Sequence, residues 1–276
     1  MDLATVPASN YPAPELAELL NRGFEDYFIP IQFNTSMLLT MLHKDGIDLA
    51  ESRILIVEDQ PCGIALIARR GALRTSRLAA MGIEKGLRSR GAGSWFMQRL
   101  LGEARQRGDR EMVLEVIEQN EPAIRLYQRS GFESVRRLIG FLRKDTRERE
   151  GSELQEFDLR QMGWLISEHG LSDLPWQLSG ESIAQMAEPA RAYRNGQAYV
   201  VVSNPEAEQI VIWSLLVEQN ARGKGLGTHL LESLMATHAD KTWHVPALFP
   251  EELAKVFERA GFERENLSQW QMKVSL

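Results

Sequence analysis

The sequence has few of the residues on which several kinds of site depend. Its single cysteine, Cys62, cannot form an internal disulfide, which fits a reducing compartment. Its five histidines are scattered, and none shows the spacing of a helical zinc pair, so we predict no metal site. No apolar run reaches the ~18 residues of a membrane span, and residues 1–7 lack the basic, then apolar, start of a signal peptide. We therefore expect a cytoplasmic protein with no membrane partner.

The composition is that of a soluble globular protein. Hydrophobic residues make up 43% and charged residues 25% of the 276 positions. This length suits two domains of about 140 residues better than one. The net charge of −6 argues against a nucleic-acid partner, because phosphates favour basic surfaces. Cys62 lies in the apolar run 62–68, which indicates a buried strand residue and not a nucleophile.

One pattern occurs twice along the chain. In the first copy, Met81-Gly82-Ile83 precedes the turn Arg88-Ser89-Arg90-Gly91-Ala92-Gly93 and then Ser94. In the second, 134 positions later, Leu215-Leu216-Val217 precedes Arg222-Gly223-Lys224-Gly225-Leu226-Gly227. An amphipathic helix and a Gly-Phe pair follow each turn, at Gly131-Phe132 and Gly261-Phe262. Matched spacing across three features indicates a tandem repeat.

The repeat and a polar segment, 144–152, divide the chain into predicted domains 1–148 and 152–276. For the first domain, periodicity predicts helices at 14–27, 36–43, 91–106 and 121–129. It also predicts strands at 53–58, 62–70, 76–83 and 111–117, and a closing pair of strands within 133–142. For the second, it predicts strands at 198–202, 208–217, 242–245 and 270–274, with helices at 225–237 and 251–259. Residues 163–186 give no clear pattern.

The repeated turn has the chemistry of a diphosphate site. The first amides of a helix have no partner within it, and the helix dipole adds positive charge at that end. Glycines let the backbone approach a bulky anion, and Arg88 and Arg90 would add charged donors. The turn lacks the lysine and hydroxyl residue of the Walker motif, and it is not a dinucleotide fingerprint.

These motifs, together with Leu114-Glu115-Val116, Asn120, Ala123-Ile124, Leu126-Tyr127 and Gly131-Phe132, resemble those of the GNAT superfamily of N-acetyltransferases. The resemblance covers 53–144 well and 198–276 more loosely. It implies an α/β (α+β) fold in tandem, each copy a mixed, mostly antiparallel sheet flanked by helices, with two central strands splayed apart. It implies acetyl-CoA as donor, with its diphosphate on the amides of 88–93 and its pantetheine arm along Met81 to Ile83. The backbone N–H of Ile83 would then stabilise the oxyanion.

Three residues of the first half are candidates for the chemistry. In the family, a tyrosine at the position of Tyr127 protonates the leaving thiolate; otherwise Tyr127 packs on its helix. Glu115 is a general base, acting directly or through water, or an exposed strand residue, or the partner of an arginine such as Arg110 or Arg137. Asn120 would cap the helix that carries Tyr127 and also contact pantetheine.

The second half departs from this pattern. Counting back from Gly261, Pro250, Phe257 and Val245 replace the asparagine, tyrosine and glutamate. His244 is either a substitute base or a structural histidine. This half either still binds CoA without catalysing transfer or is a degenerate copy.

The leading hypothesis is an acetyltransferase that acts on a primary amine, from a small molecule or a peptide, by direct attack in a ternary complex. The alternatives are a non-catalytic acyl-CoA sensor and catalysis in the second half. The sequence leaves the acceptor and the oligomeric state open.

Overall fold

The computed structural model describes residues 2–144, 152–238 and 240–276, so most of the predicted linker lies outside the described residues. The first half of the chain forms the elements β1 (Leu3–Pro7), α1 (Ala13–Gly23), α2 (Thr35–Asp45), β2 (Ile47–Val57), β3 (Gln60–Arg70), β4 (Thr75–Ile83), α3 (Ala92–Gln106), β5 (Glu111–Ile117), α4 (Glu121–Arg129) and β6 (Glu133–Lys144). The second half forms β7 (Gln155–Phe157), α5 (Leu159–His169), α6 (Gly180–Ala184), β8 (Arg191–Asn195), β9 (Ala198–Val202), β10 (Gln209–Val217), α7 (Leu226–Thr237), β11 (Thr242–Pro250), α8 (Ala254–Arg259) and β12 (Glu263–Ser275).

The chain folds into two compact units that differ from the predicted domains at two strands. The first unit comprises residues 1–135 and 270–276, and the second comprises 136–269. In the first, the strand order is β1-β2-β3-β4-β5, followed by the C-terminal residues of β12. In the second, the order is β6-β11-β10-β9-β8-β7. The predicted closing pair of strands within 133–142 is therefore wrong, because this segment is one continuous strand whose partner in the second unit is β11.

Each unit contains the same mixed, mostly antiparallel sheet, which confirms the predicted fold class. In the first, β4 pairs antiparallel with β3 and parallel with β5, and the parallel pairing extends only from Thr75↔Glu111 to Arg77↔Val113. In the second, β10 and β11 also pair over three positions, from Gln209↔Thr242 to Val211↔His244. The central strands of both units then diverge, as the resemblance implied.

Apolar side chains from helices and strands fill both cores. In the first unit, α3 buries Phe96, Leu100 and Leu101 against the sheet, whereas Trp95 is exposed. Met272 and Val274, from the C-terminal end of the chain, belong to this same core. In the second unit, Ile139 and Phe141 of β6 pack with Trp243, Phe257 and their neighbours. Among the described residues, no helix is both long and apolar enough to cross a membrane.

Candidate active site

The turn before α3 has the backbone geometry that an anion site needs. Ser89 has φ +61° and Gly91 has φ +88°, so two left-handed residues bring the chain into the helix. Gly91 is the N-cap and supplies no side-chain acceptor. In the hydrogen bonding of the helix, the N–H of Trp95 donates to the Gly91 carbonyl at 3.1 Å. The amides that precede it have no acceptor within the helix, and they are therefore suited to an external anion.

The turn before α7 repeats this geometry. Gly223 has φ +78° and Gly225 has φ +79°, at the positions of Ser89 and Gly91. The N–H of His229 donates to the Gly225 carbonyl at 3.0 Å, as Trp95 does in the first unit. The repeat therefore preserves the backbone conformation of the turn as well as its sequence.

The side chain of Arg88, which the sequence predicts as a phosphate ligand, makes internal hydrogen bonds. Its Nε donates to the Ile83 carbonyl at 2.9 Å, and its Nη2 donates to the Gly23 carbonyl at 3.0 Å. Both Nη atoms also lie 3.3 Å from the Glu25 carbonyl. This guanidinium thus ties the end of α1 to the end of β4, and its donors are directed at carbonyls instead of at the turn.

Arg222 makes the equivalent bonds in the second unit. Its Nε donates to the Val217 carbonyl at 3.1 Å, and its Nη2 donates to the His169 carbonyl at the end of α5. In both copies, the first arginine of the repeated motif therefore joins the end of a strand to the end of a helix by hydrogen bonds to backbone carbonyls. Arg90 is exposed, and the Nζ of Lys224 donates to the Asn220 carbonyl at 3.3 Å.

The edge of β4 beyond Arg77 faces the gap that opens between β4 and β5. Ile83 and Met81 pair on their other side with Gly63 and Ala65 of β3. Their edge towards β5 lies past the last β4–β5 pair, where an extended chain could add as a strand. Gly82 has a different role, because a Cβ there would lie 2.9 Å from Gly23 Cα. It allows α1 to pack closely on β4.

A cavity of about 660 Å³ lies at this gap in the first unit. Of the predicted site residues, those that line it are Met81, Ile83, Arg88, Ser89, Gly91, Gly93, Ser94, Asn120 and Tyr127. Gly82, Arg90, Ala92 and Glu115 are not among the lining residues. The strand edge, the helix start and Tyr127 therefore meet at one cavity, as the motif order suggested.

Tyr127 is a buried phenol on α4. Its ring lies 5.7 Å from that of Phe132, centroid to centroid, and the residue is 9% exposed. Burial, with a smaller effect of the neighbouring Tyr27, raises the pKa of Tyr127 above its ordinary value. The hydroxyl consequently stays protonated at any physiological pH, so it is available as a donor.

Asn120 and Tyr27 complete the polar groups near this phenol. The Asn120 side chain caps α4 by accepting from the Ala123 N–H at 3.3 Å, which confirms the predicted capping role. Tyr27 lies between α1 and α2 and also lines the cavity. Burial raises the pKa of Tyr27, and a side-chain hydrogen bond with Asn120 opposes that rise.

Glu115 lies in a buried ion pair outside the cavity lining. Its Oε2 accepts from the Arg77 Nε at 2.8 Å, and Arg77 Nη1 contacts Asp45 Oδ2 at 3.1 Å. Of the readings that the sequence left open for Glu115, the structure has an ion pair, with Arg77 as a partner. Arg77 and Glu115 are 38 positions apart in the chain, so spacing gave no signal for the pair.

The second unit has a cavity of about 350 Å³ at the corresponding place. Of the predicted residues, Leu215, Val217, Arg222, Gly223, Gly225, Leu226 and Gly227 line it, and Lys224 is not among the lining residues. Phe257, which stands where the first unit has tyrosine, also lines this cavity. His244 pairs with Glu265 at 3.2 Å and is absent from the lining, so it has a structural partner.

The sequence motifs name no residue of the wall that α1 and the segment after it contribute to the first cavity. Phe24, Tyr27 and Phe28 line this wall, and Arg125 and Arg129 of α4 also line the cavity. The aromatic spacing after α1 was the available signal, but no motif connects it with the turn 60 residues later. In the described ranges, no group of three or more histidine, cysteine or acidic residues could hold a metal ion.

Comparisons with known proteins agree with this geometry. A sequence model of the acetyltransferase (GNAT) family matches residues 13–132 and again residues 147–262. Because the two matches cover most of the chain, the protein belongs to the acetyltransferase (GNAT) family, and it carries two copies of that fold. A comparison with curated proteins finds no match.

Solved structures share the fold along nearly the whole chain. A GCN5-related N-acetyltransferase from Sphaerobacter thermophilus superposes with a TM-score of 0.70 at 16% identity, over 99% of this chain and 95% of that one. A tandem GNAT protein from the clavulanic acid biosynthesis pathway gives 0.68 at 16% identity, over 99% and 98%. A GCN5-related N-acetyltransferase from Anabaena variabilis gives 0.64 at 16% identity, over 98% and 72%. At these identities the likeness concerns the fold alone.

Proposed function

We propose that the first unit transfers the acetyl group of acetyl-CoA to a primary amine by direct attack in a ternary complex. The observation that carries this proposal is the meeting of the free helix amides at Gly91 to Ser94, the strand edge at Met81 to Ile83, and Tyr127 at one cavity. Membership of the acetyltransferase family supports the same reaction class.

The turn residues would hold the diphosphate of the donor on their backbone amides, since the Arg88 side chain is bonded internally. The backbone of Met81 and Ile83 would position the pantetheine arm by strand-like hydrogen bonds. The amide of Ile83 would donate to the carbonyl oxygen as negative charge develops there. This division assigns binding to the backbone and leaves proton transfer to side chains.

The reaction forms a carbon–nitrogen bond and breaks the carbon–sulfur bond of the thioester. The amine nitrogen attacks the carbonyl carbon, the tetrahedral intermediate collapses, and the sulfur leaves with the bonding electrons. Tyr127 donates its hydroxyl proton to that sulfur, and the nitrogen loses its proton to solvent. A proton from solvent then returns to the phenolate and restores the phenol. Because burial raises the pKa of Tyr127, its hydroxyl is fully protonated when the thiolate forms.

The amine reacts as its free base. Glu115 is committed to Arg77 and lies outside the cavity lining, so we assign it no role in removing the amine proton. Deprotonation would precede binding, or a water molecule in the cavity would accept the proton. The rate should therefore rise with pH until the acceptor is fully neutral.

Replacement of Tyr127 by phenylalanine tests the proposal. Tyr127→Phe keeps the ring that packs on Phe132 and removes only the hydroxyl. We expect turnover of acetyl-CoA with an amine to fall by about 10²-fold or more, while the Kd for CoA changes less than about twofold. Tyr199→Phe, which removes a hydroxyl in the second unit, is the control and should retain full turnover.

A CoA-binding sensor would give another result. If the Tyr127→Phe variant and the parent show equal turnover, the phenol is not the acid and the proposal fails. If neither variant nor parent releases CoA thiol with any amine although both bind CoA, the chain is a sensor.

For the second unit we propose CoA binding without transfer. The turn before α7 keeps the two left-handed residues and the free amides of the first, but phenylalanine lines the cavity where a proton donor is required. Calorimetry on the Gly225→Ala and Gly91→Ala variants distinguishes the two sites. Each variant should weaken one of two binding events if both units take up CoA.

A further inference from the structure

One wall of the first cavity is aromatic. Phe24, Tyr27 and Phe28 line it, and the Tyr27 ring packs edge-on against Phe24 at 4.9 Å and against Phe28 at 5.7 Å. Phe28 is 51% exposed. Exposed aromatic surface that continues into a cavity is typical of a ligand-binding groove.

Ion pairs and hydrogen bonds hold this wall in place. Arg88 donates to the carbonyls of Gly23 and Glu25, and Lys85 Nζ lies 2.7 Å from Asp26 Oδ2. The wall is therefore attached to the segment that follows β4, next to the proposed donor site. An acceptor that packs on the wall would lie beside Tyr127, because Tyr27 and Tyr127 line the same cavity.

The charges around the cavity are unfavourable for a polycation. Among the residues that line it, Asp26 is the one acid, and Lys85 neutralises its carboxylate. Three arginines, Arg88, Arg125 and Arg129, also line the cavity, and of these Arg125 pairs with Glu121 at 2.8 Å. A second ammonium group on the acceptor would therefore meet like charge and find no free carboxylate.

The same charges favour amines of low basicity. Nearby cations and burial both disfavour an ammonium ion, so the site selects the neutral amine. At pH 7.5, about a third of α-amino groups are neutral, against about one in a thousand alkyl amines such as the lysine side chain. Because the lining acid, Asp26, is paired with Lys85, we expect the fastest reaction with an amine that is already neutral.

We infer that the acceptor is a small molecule with an α-amino group on an aromatic or apolar body and without a second positive charge. This inference rests on the proposed acetyl transfer and names the substrate class for it. The aromatic wall would bind the body, and the paired Asp26 and the arginines would discriminate against polyamines. A cavity of about 660 Å³ has the size of small-molecule sites.

Four amines test each part of the inference on the full chain with acetyl-CoA at pH 7.5. L-Phenylalaninamide should exceed L-alaninamide in kcat/KM by at least about tenfold, because only the former buries a ring. It should exceed phenethylamine, which has the same ring on a more basic amine, by about tenfold or more. It should also exceed spermidine, which carries additional charges, by at least about tenfold.

Two variants connect these preferences with the wall. Phe28→Ala should raise KM for phenylalaninamide several-fold and leave alaninamide unchanged, and it should fold because Phe28 is half exposed. Leu39→Ala is the matched control, since Leu39 is 52% exposed and outside the cavity lining. Lys85→Gln, which leaves the Asp26 carboxylate unpaired by lysine, should raise the relative kcat/KM of spermidine.

The outcomes separate the inference from the proposed function. Acetylation of spermidine or alaninamide as fast as phenylalaninamide would overturn the inference and leave acetyl transfer intact. A peptide with N-terminal phenylalanine that reacts faster than phenylalaninamide would overturn the small-molecule assignment. Absence of thiol release with every amine, from a chain that binds CoA, would count against the proposed function itself.

Discussion

Glu115 and Tyr127 are both buried ionisable residues of the first unit, but their surroundings give them different roles. Glu115 has a charged partner, and its side chain is 3% exposed. Burial opposes the charge of Arg77, but Glu115 and Asp45 outweigh it and raise the pKa of the guanidinium. Tyr127 is instead kept neutral by burial. A buried carboxylate with a partner stabilises a fold, whereas a buried neutral phenol beside a cavity can donate a proton.

Replacement of Glu115 by glutamine distinguishes an ion-pair partner from a general base. Glu115→Gln removes the charge but keeps the size, so Arg77 would remain buried with Asp45 as its charged partner. We expect the free energy of unfolding to fall by about 1–3 kcal/mol, with CoA affinity and turnover per folded molecule nearly unchanged. Chemical denaturation and steady-state kinetics measure the two quantities.

Glu111→Gln is the matched control, because Glu111 lies four residues earlier on the same strand and is only partly buried. We expect it to alter stability by less than about 0.5 kcal/mol. A Glu115→Gln variant of unchanged stability whose turnover falls tenfold would restore the general-base role.

At the scale of elements, the two glycines at the start of α3 differ in whether a side chain could replace them. Gly91 has φ +88°, and a Cβ there would meet nothing within 4 Å, so its requirement is conformational. Gly93 is helical, and a Cβ there would lie 3.5 Å from Leu126 Cδ2, an ordinary contact. Gly227, its counterpart in α7, is tighter, at 3.0 Å from Val256 Cγ2.

Substitution by alanine should have opposite effects at Gly91 and Gly93. Gly91→Ala should cost about 1–2 kcal/mol of stability and weaken CoA binding, because alanine disfavours the left-handed conformation that aims the amides. Gly93→Ala should raise stability by up to about 1 kcal/mol, since alanine is the better helix former and fits the space. Thermal unfolding and CoA titration of both variants check this, and equal effects would refute the assigned geometry.

The elements that the sequence predicted well are those with local signals. The helix at 121–129 and the strand at 111–117 have the predicted bounds, because capping by Asn120 and a short apolar run fix them locally. The edge strand β1 was not predicted, since its five residues show no clear alternation. The individual residues of the cavity wall at Phe24 to Phe28 could not be named from the sequence, because their relation to the turn is purely tertiary.

At the scale of the whole molecule, each half of the sequence contributes its final strand segment to the other compact unit. Residues 136–144 belong to the second unit, and residues 270–276 belong to the first. The Leu276 N–H donates to the Arg110 carbonyl at 2.9 Å, at the start of β5. Periodicity predicted strands at both places, but it reports which face a strand buries and not which sheet it joins. The predicted domains 1–148 and 152–276 therefore separate segments that fold together.

The C-terminal residues consequently stabilise the proposed active unit, although they lie farthest from it in sequence. Met272 is fully buried in the first core, whereas Lys273, its neighbour on the strand, is exposed. Met272→Ala should cost about 2–5 kcal/mol by leaving a cavity. Lys273→Ala should change stability by less than about 0.5 kcal/mol.

Hydrogen exchange of the Met272→Ala variant should show the loss of protection in α3, α4 and β5, and CoA binding at the first turn should weaken as this unit unfolds. If 152–276 instead folded as a self-contained domain, the same change would release protection in α7 and β11 and leave α3 and β5 protected. The location of the lost protection therefore decides between exchanged strands and independent domains.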